Sequence, residues 1–317
     1  AVRRVWRLLV FNAALLSLFG IVQFVSGTTR MYWLVQMRPH FFASFGYPNH
    51  AGSYFLMTMC MAAGLLAHDI GPAGGFARWA RRIGLGAAFL LCLVGANLCL
   101  SRLAVMLSWL LVIPLAVLWL RFLWPRLEPV RRVHVVASAL AIISLAGLLT
   151  LGLGRDAIRK EFRPENDNKT FMDRETSFRW FQVKSAVLMW RDHPWCGVGG
   201  WGYRYFIGHY VPRDLWRKIT EGKANVHNDP VQFLAEFGLW GAGAMAAVVA
   251  ILLAGAWRVR AGWPPIFLLP LMGLALVWMQ SLIDLPFRSS AVLSLWVMGL
   301  AGVARVAAPR RAPPAAL

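Results

Sequence analysis

Residues 83–124 read IGLGAAFLLCLVGANLCLSRLAVMLSWLLVIPLAVLWLRFLW. An α-helix rises about 1.5 Å per residue, so roughly 20 apolar residues already cross a hydrocarbon core about 30 Å thick. The stretch is about twice that length. Ser101-Arg102 interrupts it near the middle. The run is therefore predicted to be a helical hairpin spanning a membrane twice, with Arg102 at the turn.

Working outward from the hairpin, apolar runs recur at about 5–26, 51–68, 83–100, 103–124, 133–153, 231–256, 264–282 and 289–307. This pattern predicts an all-α integral membrane protein with about eight transmembrane helices. Composition agrees: 58% of residues are hydrophobic and 15% charged, against about 25% charged in soluble domains. The chain divides into five spans over 1–153, a loop over 154–226, three spans over 227–307 and a tail over 308–317 (APRRAPPAAL) expected to be disordered. It opens at Ala1 without Met and without a cleavable signal pattern, so a further upstream segment is expected.

The net charge of +19 would suggest nucleic acid in a soluble protein. Here the basic residues fill short loops between apolar runs, and no nucleic-acid partner is expected. With the N-terminus inside and spans alternating, fifteen Lys and Arg fall in the inside segments. The short outside segments hold only Arg30, Arg38, Arg102 and Arg288. That bias orients the chain, because loops rich in basic residues stay in the cytoplasm. The 154–226 loop exceeds the length over which the rule applies. It falls outside, together with the 27–50 loop, the Arg102 turn and the Asp284–Arg288 turn.

The large loop is predicted to be partly helical. TSFRWFQVKSAVLMWRD (176–192) has apolar residues near helical spacing, with Thr176 or Ser177 as a cap and His193-Pro194 as a stop. WCGVGGWGYR (195–204) reads as a structural glycine turn; it lacks the Gly-Lys-Ser/Thr ending of a phosphate loop. A second short helix is expected over 211–221. Cys60, Cys92 and Cys99 lie in apolar runs as packing residues, and Cys196 stands alone in the loop.

Several residues can carry chemistry. Arg102, between two apolar helices, is either a snorkelling arginine or an anion contact. Arg179 falls in the first turn of the loop helix if Thr176 or Ser177 caps it. It would then add a guanidinium to an N-terminus that already favours anions; the alternative is a solvated arginine. His227, where the loop meets the sixth span, is either a proton acceptor or an interfacial histidine bonded to backbone. Asn228 and Asp229 are candidate caps for the helix that Pro230 begins. Glu236 either orients a partner or is a buried structural acid. Asn49 and His50 open the second span, facing a cavity or capping the helix. Asp284 and Arg288 flank the last outside turn as a possible pair. No carboxylate cluster suits magnesium and no His spacing suits zinc, so neither metal nor cofactor is expected.

Three stretches resemble the O-antigen ligase and O-antigen polymerase superfamily, which includes bacterial protein O-oligosaccharyltransferases. They are FGYPNHAGSYFLMTM, NLCLSRLAVMLSWLL, and SFRWFQVKSAVLMWRDHPWCGVGGWGYRYF followed by VHNDPVQFLAEFGLWG. Together they cover roughly residues 40–290. The resemblance implies a C-type glycosyltransferase fold in a bacterial inner membrane, with the large loop periplasmic or extracellular. It implies an undecaprenyl-diphosphate-linked glycan donor, a glycan, lipid or protein acceptor, and surrounding membrane lipids. It also implies diphosphate binding by Arg102 and Arg179, His227 as base or acceptor-positioning group, and no metal. It spans ligases, polymerases and protein O-glycosylases alike. Family members usually carry more helices before the first span.

The chemistry fits that resemblance. Outside the cytoplasm a donor must bring its own activation, and departing diphosphate develops charge that fixed arginines stabilise. Trp180, Trp195, Trp201, Tyr203 and Tyr205 either stack on sugars or form an interfacial belt. A transporter of a small anion or solute is the alternative. It should show polar residues at mid-membrane in two related halves, and no such halves are visible. The orientation predicts that a periplasm-active reporter fused at residue 190 is active and one fused at residue 128 is silent. The reverse pattern overturns the topology.

Overall fold

The computed structural model describes residues 1–37, 41–69, 75–162, 171–211, 225–257 and 264–307. They are overwhelmingly helical: α1 Val2–Val25, α2 Pro48–Asp69, α3 Phe76–Leu98, α4 Arg102–Leu123, α5 Pro129–Phe162, α6 Phe171–Asp192, α7 Tyr203–Phe206, α8 Asp229–Trp257, α9 Pro265–Gln280 and α10 Ser290–Ala307. One antiparallel hairpin, β1 Arg30–Met31 with β2 Val35–Gln36, pairs Arg30 with Gln36 and Met31 with Val35. The chain is an all-α membrane protein. Six helices (α1 to α5 and α8) are long and apolar enough to cross a bilayer. The seventh and eighth expected spans correspond to shorter apolar helices, Pro265–Gln280 and Ser290–Arg305. The expected helix over 211–221 and the tail over 308–317 lie outside the described residues.

Contacts divide the chain into two compact units. One comprises residues 1–161, 251–275 and 294 onward; the other comprises 162–250 and 276–293.

In the first unit α2 is the central helix, with 89% of its apolar window buried. Its sequence is rich in small residues and Met, which suits it to close packing without a hydrophobic drive from water. The neighbours approach through glycines. A Cβ on Gly273 of α9 would press on Cys60, one on Gly299 would meet Met61, and one on Gly52 would run into Ala104. Helix α1 buries Trp6, Val10, Ala13, Ser17 and Gly20 along one stripe, and Ser17 Oγ–H donates to the Leu91 carbonyl of α3. Cys60, Cys92 and Cys99 are buried packing residues, as their positions predicted.

The α3–α4 hairpin turns where the sequence placed it. Leu100 takes a left-handed φ of 58°, and Ser101 caps α4 by accepting the Ala104 N–H at 3.2 Å. Buried Asn97 ties the two helices together, its Oδ1 accepting the Trp109 indole N–H at 2.9 Å. Helix α5 runs to Phe162, nine residues past the expected end, so the loop begins later than residue 154.

The second unit is organised around a break in α8. Gly238 has φ 61° and ψ −167°, a region open essentially to glycine alone. The expected continuous span over 231–256 is thus two helical pieces. A break strands backbone groups, and each must find a partner. The glycine turn supplies them. Val198 and Gly199 N–H donate to the carbonyls of Ala235 and Glu236 at 3.1 and 2.8 Å, while Leu239 and Trp240 N–H donate to those of Pro194 and Trp195 at 2.8 and 3.1 Å. The approach is close enough that a Cβ on Gly197 would overlap the Glu236 backbone, and one on Gly238 the Trp195 carbonyl.

Beside this junction lies a small core of Ala186, Met189, Tyr203, Ile207, Val226 and Ala235. Tyr203 is fully buried and shares a 2.9 Å hydrogen bond with Ser185; burial pushes its phenol above the usual range. It is therefore a core residue, neither a sugar platform nor part of an interfacial belt. Trp180, Trp195, Trp201 and Tyr205 remain exposed. Gly238→Ala is expected to cost about 1–3 kcal/mol through the backbone alone, with steric overlap added. Thermal unfolding in detergent should show a clear drop in Tm, against little change for Gly243→Ala, whose Cβ would meet nothing.

Candidate active site

The first piece of α8 carries Asp229, Gln232 and Glu236, all buried. Spaced i, i+3, i+7, they line one helical face in an otherwise apolar run. That polar stripe was visible in the sequence, although only Glu236 was singled out as a site residue.

The stripe faces the turn after α9. Arg288 donates to Glu236 Oε2 at 2.7 Å and lies 4.0 Å from Asp229 Oδ1. Its side chain is only 9% exposed. The guanidinium also stands 5.1 Å from the ring centre of Trp201 and 5.6 Å from that of Phe233, distances at which the aromatic quadrupoles favour a cation. Gln232 bridges back, donating to Glu236 at 3.0 Å and accepting the Val226 N–H at 3.0 Å. Asp229 accepts the Phe287 N–H at 2.8 Å and so works as an anchor for the turn. Capping falls to Asn228, whose Oδ1 accepts the Val231 N–H at 3.0 Å.

Three consecutive carbonyls of that turn are each engaged. Ser281 accepts from the Asp229 N–H at 2.9 Å, Leu282 from Asn228 Nδ2 at 2.8 Å, and Ile283 from Arg179 Nη1 at 2.7 Å. The next residue, Asp284, is buried and places Oδ1 3.6 Å from Nδ1 of His227. His227 adopts φ 53°, an uncommon backbone conformation for a residue with a Cβ. Such strain clusters where a side chain must be aimed. The structure thus brings Arg179, His227, Asn228, Glu236 and Arg288 into one unit around residues 281–288. Arg288 pairs with Glu236 and lies near Asp229, and the His227 ring faces Asp284, rather than Asp284 and Arg288 forming an isolated pair.

Helix α6 starts at Phe171, upstream of the expected cap at Thr176 or Ser177. Arg179 therefore sits more than two turns inside the helix. The expectation of a helix N-terminus beside its guanidinium is overturned, since the favourable dipole is confined to the first turn.

Arg102, Asn49 and His50 belong to the first unit. Arg102 Nε donates to Glu161 Oε1 at 3.0 Å, with both side chains partly exposed. Asn49 donates to the Tyr47 hydroxyl at 3.0 Å, and His50 packs its ring edge-on to Tyr47 at 5.0 Å. They open α2 one turn before Gly52, the residue packed on Ala104 of α4. Among the described residues no three His, Cys, Asp or Glu side chains gather as a metal-holding group.

The family model for O-antigen ligase matches residues 87–246, just over half of the 317 residues. The chain belongs to the O-antigen ligase family. The family is one of membrane glycosyltransferases of the ligase and polymerase type. No curated protein and no solved structure matches in the corresponding comparisons. The family match includes Arg102, Arg179, His227, Asn228 and Glu236. It stops before Asp284 and Arg288, so the partners of His227 and Glu236 are identified by the tertiary structure.

Truncating Arg288 leaves two buried carboxylates without their cation. Breaking a buried pair from one side costs about 3–5 kcal/mol. Arg288→Ala is expected to unfold at markedly lower temperature, and adding Glu236→Gln should recover part of the loss. Equal Tm values for the single and double variants would show that the pair does not govern stability.

Proposed function

We propose that this ligase-family protein transfers a glycan from an undecaprenyl-diphosphate carrier to an acceptor hydroxyl on the extracytoplasmic face, without a metal ion. The observation that carries the reading is the His227–Asp284 pair, held on a strained backbone beside a turn to which Arg179 is hydrogen-bonded.

With Nδ1 turned to Asp284, His227 has Nε2 left to accept a proton. Their 3.6 Å contact is longer than a hydrogen bond, as contacts between a base and its orienting group often are before substrate binds. In the proposed step the acceptor hydroxyl oxygen bonds to the anomeric carbon of the donor sugar. The bond from that carbon to the diphosphate oxygen breaks, the electron pair leaves with the diphosphate, and the hydroxyl proton passes to His227. Charge grows on the leaving group, where a guanidinium stabilises it most effectively in a site shielded from water. We assign Arg179 to that role. A second contact from Arg102 rests on the family resemblance. Ligase, polymerase and protein glycosylase chemistry share this step and differ in the acceptor.

His227→Ala and Arg179→Ala are each expected to abolish transfer in an in vitro assay with an undecaprenyl-diphosphate glycan, while the protein still inserts and folds. General base catalysis contributes roughly 10²–10⁴-fold, so near-normal turnover by His227→Ala would remove the base assignment. Arg102→Lys keeps the charge and loses the bidentate fork. Transfer should fall at least about tenfold, the worth of one hydrogen bond to a charged group; unchanged transfer would remove Arg102 from the diphosphate site.

A further inference from the structure

The first unit holds a cavity of about 620 Å³ between α3, α4 and α5, lined also by Ala63 and Leu66 of α2. That is within the range of small-molecule sites, and its walls are mostly apolar. One end differs. Trp79 and Arg82 near the start of α3, Trp119 one turn before the end of α4, and Arg131 and His134 at the start of α5 line the same cavity. Three groups able to carry positive charge therefore ring one end of an apolar slot. Trp79, Ile83 and Arg131 are exposed, so the slot opens at the flank of the helices.

The Trp119 indole nitrogen is buried without a hydrogen-bond partner. A buried donor left unpaired is costly, which points to an acceptor supplied from elsewhere. Arg131 is not committed to a strong partner: its contact with Glu128 is 3.6 Å, and Glu128 is 76% exposed. Arg82 is anchored through the Asp69 carbonyl at 3.0 and 2.7 Å, which fixes its guanidinium at the rim. His134 Nδ1–H donates to the Val130 carbonyl at 2.8 Å, and Nε2 is its other polar atom.

We propose that this slot is a binding site for one anionic glycerophospholipid. The phosphate sits among Arg82, Arg131 and His134, an ester carbonyl accepts the Trp119 N–H, and an acyl chain fills the apolar walls. Basic pockets between membrane helices recognise anionic headgroups in this way. The ester carbonyl distinguishes the occupant from a polyprenyl phosphate, which has the charge and the chain and lacks an acceptor at that depth. The basic end is the one that the Lys and Arg bias assigns to the cytoplasmic leaflet. The site is separate from the His227 unit, and the inference stands whether or not the proposed transfer reaction holds.

The test is native mass spectrometry of the full chain released from nanodiscs containing equal phosphatidylglycerol and phosphatidylethanolamine. One phosphatidylglycerol per chain should be retained preferentially. Trp119→Phe, which keeps the ring and removes the N–H, should weaken retention by about two- to tenfold, the worth of one hydrogen bond. Arg131→Ala should reduce the preference for phosphatidylglycerol, and Ala139→Trp should block the slot. Tm measured in lipid-free detergent checks that each variant is folded; Trp119→Phe remains the decisive one if Ala139→Trp is not. Equal retention of the two lipids by wild type would overturn the proposal. So would unchanged retention by folded Trp119→Phe and Arg131→Ala, or stoichiometric displacement by undecaprenyl phosphate.

Discussion

A helix that breaks within or beside a bilayer must hand its stranded backbone groups to something else. At Gly238 that recipient is the glycine turn over residues 194–199, which both donates to and accepts from the two sides of the break. Most of the second unit's geometry depends on that exchange. It ends the first piece of α8 after Glu236, and it draws Trp201 close enough to lie over Arg288. The two glycine-bearing motifs are therefore complementary halves of one structural joint. Either glycine alone would leave backbone groups buried without partners, at a cost of several kcal/mol each.

The polar groups follow from the joint. Asp229, Gln232 and Glu236 sit on the face that the short helical piece presents to the 281–288 turn. They are tolerated there because Arg288, the Phe287 N–H and the Val226 N–H meet them. The turn is then held through its own carbonyls by Asp229, Asn228 and Arg179. A residue on a loop helix and a residue at the mouth of α8 thereby share one short backbone segment, and Asp284 of that segment faces His227. Positioning of the candidate base is thus coupled to the placement of the candidate cation by ordinary hydrogen bonds. The unmet capacity is informative too. His227 Nδ1, Asp229 Oδ1 and Arg288 Nε are buried without a hydrogen bond, which gives the cluster room to tighten when charge arrives.

The first unit shows a different economy. Its helices approach through Gly, Ala, Ser and Met around α2, as expected where lipid rather than water is the solvent. Asp69 gathers Arg7, Arg81 and Arg82 at one end, where its carboxylate offsets repulsion within a basic rim. The slot between α3, α4 and α5 opens beside that rim, and its open wall makes it a site for lipid chemistry rather than a packing defect.

Membrane character and the α3–α4 hairpin were legible because they rest on local quantities: run length, charge and the Ser101-Arg102 interruption. Likewise Arg179 stood out as a charge among aromatics, and His227 and Asn228 as polar residues at the mouth of an apolar span. The turn over residues 195–204 was also legible, from the glycines at 197, 199, 200 and 202. Tertiary structure alone decided the rest. Helix α6 starts upstream of Thr176 because a threonine can sit inside a helix as well as cap one. Tyr203 looked like its exposed aromatic neighbours; only the core around Ser185 separates them. The break at Gly238 was hidden because an isolated glycine in an apolar run carries no sign of whether its neighbours' hydrogen bonds are made elsewhere. The partners of His227 and Glu236 lie some fifty residues away, and no periodicity reports a contact at that separation.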